Sequence, residues 1–217
     1  MSQKNIIYTI ISVISIVGFM ALVYIASDRP TASETVHKQA QVLESDDQVK
    51  WANDKKILLV EYSDLQCPAC ASFHEIIKAI EADKKSPITK KVTFVYRHFP
   101  LERIHKNARA ASLAAEAAAN QKAFYSMSAL MFENQATWQD SNDPMKIFTE
   151  FAKQLKLDTA KFVADAKSSA VADRVNADIV TANAIGVDST PSFYLNGKKM
   201  QISSLEDFKS QLTAAIK

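Results

Sequence analysis

The apolar pattern changes character along the chain. From Ile6 to Ala26 the run "IIYTIISVISIVGFMALVYIA" carries no charge. About 21 such residues suffice to cross a hydrocarbon core of roughly 30 Å. A cleaved leader is the alternative, but its apolar region usually runs about 7–15 residues and ends in a small-x-small site. Tyr24-Ile25-Ala26 is a poor site of that kind, so an uncleaved anchor over residues 6–26 is expected. Lys4 precedes the span, while Asp28 and Arg29 nearly cancel after it. This slight basic bias favours residues 1–5 in the cytoplasm and the rest of the chain outside. Residues 27–50 are polar, carry Pro30, and read as a tether.

Beyond that point the periods alternate. "KILLVEYS" (Lys56 to Ser63) is a short apolar run bounded by Asn53-Asp54 and Asp64, which predicts a buried strand. In "CPACASFHEIIKAIEADKK", Phe73, Ile76, Ile77 and Ile80 recur at helical spacing, with Pro68 in the first turn, where the missing N–H has no partner to lose. "KVTFVYRHF" (Lys91 to Phe99) alternates and is β-branched or aromatic, so it predicts a second strand, ended by Pro100. Helical patterning then runs from His105 to Ala184, dividing at Asn134–Pro144, at Lys156–Phe162 and near Ser168-Ser169. Asp143 and Asp158 are expected caps, and Gly186 the final stop. "SFYLNGKKMQI" predicts a hairpin turning at Asn196-Gly197. "SLEDFKSQLTAAIK" predicts a terminal helix opening on a capping box from Ser204 to Asp207. The order implies an α/β domain over residues 51–217, with a helical subdomain over about 103–186 inserted between the second strand and the hairpin.

Composition narrows the class. Hydrophobic residues make up 47% and charged ones 23%, a globular mixture. Lysine and arginine number 26 against 24 acids, a net charge of +2, so no basic stripe points to nucleic acid. Only 3 glycines against an alanine-rich "NARAASLAAEAAANQKAF" fit a helix-rich chain with few tight turns.

The chain has 2 cysteines, Cys67 and Cys70. As a staple they would close a very short loop, where the entropic gain is smallest. As metal ligands they fall with His74 at i, i+3 and i+7, but a structural zinc site wants four ligands, and no second pair of this kind occurs. His74 then reads as a partly exposed helix residue. The reactive reading fits better. A cysteine at a helix amino terminus meets free N–H groups and a positive partial charge, which lower its pKa. Cys67 would sit there, exposed, as nucleophile. Cys70, one turn in, would be shielded and would resolve the mixed disulfide. Pro68 fixes the turn between them. Ala69 brings no charge, leaving the helix end to hold the thiolate. Glu61, an acid within an apolar strand, is either an exposed strand position or a proton acceptor for Cys70. Pro191, just after Thr190 and before a strand, opens either an ordinary trans turn or a cis one.

"VEYSDLQCPAC", "VYRHFPL" with His105 and Ala108, and "GVDSTPSFYLNG" together resemble the DsbA family of thioredoxin-fold disulfide oxidoreductases, in its membrane-anchored forms. The resemblance runs from about Asp47 to the end. It implies a thioredoxin-like fold with an inserted helical subdomain, Cys67 as nucleophile and Cys70 as resolving cysteine. It further implies Glu61 as the buried acid beneath the pair, Pro191 as the cis-proline facing it, and Thr190 as a residue that tunes redox behaviour and contacts substrate. Arg97, Phe99, Pro100 and His105 match a branch pattern with a structural role. Trp51 and Ser189 stand where the family pattern carries glycine, and the amino-terminal strand of the fold is not evident.

The resulting expectation is a protein disulfide oxidoreductase, a monomer held at the cell membrane by a single span with its domain outside. It would donate a Cys67–Cys70 disulfide to exported proteins and be reoxidised by a membrane oxidase resembling DsbB or a vitamin-K-epoxide-reductase-like protein. No dissociable cofactor, metal or nucleic acid is implied. Two rivals remain: a reductase of the same fold kept reduced by a membrane electron carrier, and a metal-binding or chaperone-like module.

Overall fold

The structure is a computed structural model that describes residues 36–52, 54 and 56–217, together with Gly18 and Met20. The expected anchor over 6–26 lies, but for those two positions, outside the described residues. Among the described residues no helix is long and apolar enough to cross a membrane. The chain divides into two units, Met1–Thr35 and Val36–Lys217, and the second is the folded domain.

Its five-stranded sheet runs β1-β3-β2-β4-β5, with β1 at Gln48–Trp51, β2 at Leu58–Ser63, β3 at Thr93–His98, β4 at Ser192–Leu195 and β5 at Lys198–Lys199. The central pair β2/β3 is parallel, with Glu61 opposite Tyr96. All other pairings are antiparallel. Every residue of β2 and β3 is buried, because both faces are covered. On one face Leu59, Phe94 and Phe193 pack under α1 (Pro68–Ala82) and the terminal α9 (Leu205–Ala215). On the other, Val60, Tyr62, Val95 and Tyr194 pack against Ala182 and Ile185, at the end of α8 (Ser169–Ala184).

Between α1 and β3 lies a single turn, α2 (Ile88–Lys91), which the sequence pattern did not predict. The helical block consists of α3 (Ala108–Ala119), α4 (Phe124–Glu133), α5 (Gln135–Trp138), α6 (Pro144–Gln154), α7 (Thr159–Ala166) and α8. The alanines of α3 explain its place at the centre: Ala111, Ala114, Ala115, Ala117 and Ala118 are fully buried, and their small side chains let neighbouring helices approach on several sides. Asp143 and Asp158 cap α6 and α7, each accepting from a backbone N–H three residues on. The break at 120–123, between α3 and α4, was unforeseen; Lys122 takes φ +62° there.

The tether and the capping box depart in part from expectation, while the hairpin at Asn196-Gly197 is found as expected. Residues 36–50 are not a free tether: Val36 bridges to Lys198, a short 3₁₀ turn covers Lys38–Ala40, and Gln48 to Trp51 form the amino-terminal strand. Burial of Asp47 against Arg97, with bonds of 2.8 and 2.7 Å, draws this segment in. The hairpin turn is a tight one, with Asn196 at φ +50° and Gly197 at +80°. A side chain at Gly197 would meet the His37 carbonyl at 3.0 Å, so the arm and the hairpin fit only around glycine. At the last helix, Ser204 accepts from the Asp207 N–H as expected, but the shorter Asp207 side chain reaches Ser203 N–H, one residue before the cap.

Candidate active site

The site is built at the carboxyl end of β2. Asp64 leaves the strand and makes an Asx turn, its Oδ1 accepting from Gln66 N–H at 2.7 Å. Its Oδ2 accepts from Leu101 N–H at 2.8 Å and pairs with His105 Nδ1 at 2.7 Å. Gln135 of the helical block donates to the carbonyls of Leu65 and Cys67, at 2.7 and 3.2 Å. The turn is thus clamped from both sides, and it delivers Cys67 to the N-cap of α1 in extended conformation (φ −73°, ψ 125°), with Pro68 opening the helix.

The two sulfurs differ sharply. Cys67 sits at the mouth with its Sγ 3.5 Å from the Thr190 carbonyl oxygen. Its pKa falls from 9.0 to about 5: the Cys70 thiol donates to it, the Thr190 hydroxyl adds to this, and the backbone N–H groups of Cys70 and Ala69 point at it from the helix end, against an opposing effect of burial. The Thr190 hydroxyl is buried and makes no hydrogen bond within the protein. Cys70 is fully buried; burial first, then its bond to Cys67 and the charge of Glu61, pushes its thiol well above the usual range. Its Sγ meets Asp64 N–H at 3.5 Å. Cys67 is less open than expected, at 7% exposure, because the loop carrying Thr190 lies over it; Pro68 and Ala69 form the exposed part of the turn. Both thiols are free. The Thr190–Pro191 bond is cis.

Glu61 is not on an exposed strand position. It is 3% exposed and faces the α1 side of the sheet. Burial raises its pKa from 4.5 to about 7, and Ser63 and Lys50 hold it from rising further. An acid half-protonated near neutrality is matched to receive and return the proton of a buried thiol.

A family model described as Thioredoxin matches residues 52–214. The chain belongs to the thioredoxin family. Solved structures of like fold include oxidised BdbD from Bacillus subtilis, 20% identical, with a TM-score of 0.71 over 82% of this chain and 96% of that one. They also include α-DsbA1 from Wolbachia pipientis, 21% identical, TM-score 0.70, over 84% and 96% of the two chains. A third is MdbA, a thiol-disulfide oxidoreductase from Corynebacterium diphtheriae, 20% identical, TM-score 0.63, over 85% and 97%. At such identities the likeness is one of fold alone. Among curated proteins, the chain is 32% identical over 153 residues to Na(+)/H(+) antiporter NhaA 3 of Salinispora tropica and 34% over 157 to NhaA 1 of Mycolicibacterium gilvum. Each match takes 70% of this chain but spans only 22% and 24% of those proteins.

In this thioredoxin domain the structure brings together Cys67, Cys70, Pro68, Ala69, Thr190 and Pro191, with Glu61 on the strand beneath. It does not gather Cys67, Cys70 and His74 as metal ligands. Among the described residues the one cluster with such spacing is His74 with Glu75 and Glu133, and Lys78 already bridges those two carboxylates at 3.2 and 2.6 Å. Asp64 and Gln135 escaped the sequence reading as site residues. Asp64 had a local signal, an Asx residue between a strand and the cysteine turn; Gln135 arrives from a remote helix and had none.

Proposed function

We propose that the protein is a thiol–disulfide oxidoreductase that donates a Cys67–Cys70 disulfide to proteins folding outside the cytoplasm. The observation that carries this reading is the opposition of the two thiols, Cys67 held down to about 5 and Cys70 driven up. A stabilised Cys67 thiolate favours the reduced protein, and a pair whose reduced form is stabilised is an oxidant. A substrate thiolate attacks Cys67 Sγ, and the Cys67–Cys70 bond breaks. Cys70 leaves with the electron pair and takes a proton from Glu61. A second substrate thiolate then attacks the substrate sulfur of the mixed disulfide, and Cys67 leaves as a stable thiolate. The substrate loses two electrons and gains a disulfide, and the protein is left as the dithiol. Thr190, whose carbonyl lies 3.5 Å from Cys67 Sγ, would contact the backbone of a bound substrate.

The membrane anchor at 6–26, a monomeric state and a membrane oxidase as redox partner belong to the same proposal. The antiporter relatives are named for a membrane process, which supports a site of action at a membrane for this domain too. The measurement that tests the function is the reduction potential of the Cys67–Cys70 pair. A potential near −270 mV, that of thioredoxin itself, would favour the reductase rival. Cys67→Ser separates the remaining class: an oxidoreductase loses all turnover, whereas a chaperone-like module keeps its ability to hold unfolded chains.

A further inference from the structure

Beneath α1 lies a small cavity of about 20 Å³, lined by Lys50, Glu61, His74, Tyr96, Tyr125 and Ser128 among apolar neighbours. That is room for about one water molecule, and a water there needs two to four polar partners. The lining supplies them. Tyr96 is 3% exposed and its hydroxyl has no hydrogen-bond partner. His74 Nε2 is buried and likewise unpaired. Glu61 contributes its carboxyl group. Unpaired buried polar atoms of this kind are uncommon unless something fills the space between them.

His74 lines this cavity and is partly exposed at the surface. The ring stacks on Phe132 at 5.1 Å. One of its ring nitrogens and the exposed carboxylates of Glu75 and Glu133 lie within 4.8 Å of one another. Lys50, the cation lining the cavity, is committed to Glu81 at 2.5 Å. An imidazole can take a proton on one nitrogen and release one from the other, whereas an ammonium in an ion pair offers no acceptor.

We propose that the cavity is a water-binding site and that His74 is the outlet of a proton path running from Cys70 through Glu61 and that water to the Glu75 and Glu133 carboxylates. The inference rests on the exchange function proposed above and adds His74 as a relay residue, which acts through Glu61 and not on the sulfurs. Its surroundings fit the task. Burial first, then Lys50 and Lys78, lowers its pKa and favours the neutral ring, while Glu75 and Glu133 stabilise the imidazolium it forms in passing a proton on. Glu61, Tyr96 and Tyr125 face it across the cavity. When Cys70 resolves a mixed disulfide on Cys67, its proton passes to Glu61. The Cys70 thiolate forms the bond to Cys67 Sγ, and the substrate sulfur leaves with the electron pair of the broken bond. Glu61 must then be emptied, and the path through His74 does this without opening the domain.

The test follows two phases in one reaction, the full-length reduced protein with a peptide disulfide, from pH 5 to 9. The first phase, attack by the Cys67 thiolate, needs no proton from Cys70 and serves as internal reference. The second, release of the second peptide thiol, does. With His74→Gln, release is expected to slow about tenfold near pH 7 relative to the first phase, less than the roughly 10²–10⁴-fold of a direct general acid or base because His74 acts through Glu61. With His74→Ala, added imidazole is expected to restore it. Release that matches wild type at every pH, or a slowing shared equally by both phases and unmoved by imidazole, overturns the relay. Should His74→Ala not fold, the pH profile of His74→Gln decides. A wild-type protein that forms no mixed disulfide at all overturns the exchange function itself, and that result is distinct from a failure of the relay.

Discussion

Asp64 and His105 meet at 2.7 Å directly beneath the turn that carries Cys67. Asp64 is fully buried, and its carboxylate also accepts from two backbone N–H groups, those of Gln66 and Leu101. Its own N–H faces Cys70 Sγ. One side chain therefore fixes the position of the cysteine turn against the loop that follows β3. Asp64→Ala strands two buried N–H donors and a histidine nitrogen. An unpaired buried donor costs about 1–3 kcal/mol, so a loss of roughly 3 kcal/mol or more is expected in urea unfolding. Asp64→Asn keeps acceptors for the backbone donors and should lose less. Equal losses for the two variants would show that the backbone bonds matter little.

The opposed thiols predict how the reduction potential varies with pH. Below about pH 5 both thiols of the reduced protein hold protons. Above it only Cys70 does, since its pKa is raised. Two electrons then travel with one proton. The potential should fall by about 60 mV per pH unit below that point and by about 30 mV above it. Absorbance of the thiolate near 240 nm should rise with the same midpoint. A single slope through pH 5 would mean that Cys67 is not the stabilised thiolate.

Glu61 makes stability itself depend on pH. Its folded pKa, about 7, lies above its ordinary 4.5. The folded state therefore holds the proton more tightly, and the stabilisation, complete below pH 4.5, is lost as pH rises through 7. The loss is on the order of 3 kcal/mol, taking about 1.4 kcal/mol for each pH unit between the two values. Glu61→Gln cannot ionise and should lack this fall, so it should be the more stable protein at pH 9 and close to wild type at pH 4. Parallel stability curves for the two proteins would remove the buried charge from the account.

Much of this was legible along the chain because the chemistry is local. Cys67, Pro68 and Cys70 lie within one turn, and the β2 and β3 runs are apolar without interruption because both faces are covered. Trp51 shows a signal that was visible but incomplete. It stands where the family pattern has glycine, and it does take φ +71°. Its indole donates to Glu81 at 2.7 Å and packs on Phe94 at 5.1 Å, contacts that offset the backbone strain. What could not be read was long-range. The strand at 48–51 is short and half-polar, and its lysine and asparagine neighbours gave no period. Its place comes from Asp47 meeting Arg97, 50 residues away. His74 looked like a surface residue because it is partly exposed. Only the packing of α1 on the sheet shows that it also lines a cavity with Glu61.

That distant pair gives the last prediction. Arg97 is 1% exposed and every one of its donors is used: Asp47 takes two, the carbonyls of Gln39 and Val42 one each, and the Tyr62 hydroxyl the fifth. A planar guanidinium suits this set, and a lysine ammonium, with three donors and no fork, cannot replace it. Arg97→Met removes the charge and should therefore destabilise the domain by about 3–5 kcal/mol, the range for breaking a buried ion pair. It should also free residues 36–47 for early proteolytic cleavage. Much of that loss comes from leaving the buried Asp47 with only Arg174, at 3.6 Å, and the Glu44 N–H as partners, so Arg97→Met combined with Asp47→Leu should recover part of it. If the double variant is instead as unstable as the sum of the single ones, the carbonyl bonds to Gln39 and Val42 hold the arm, and the ion pair contributes little.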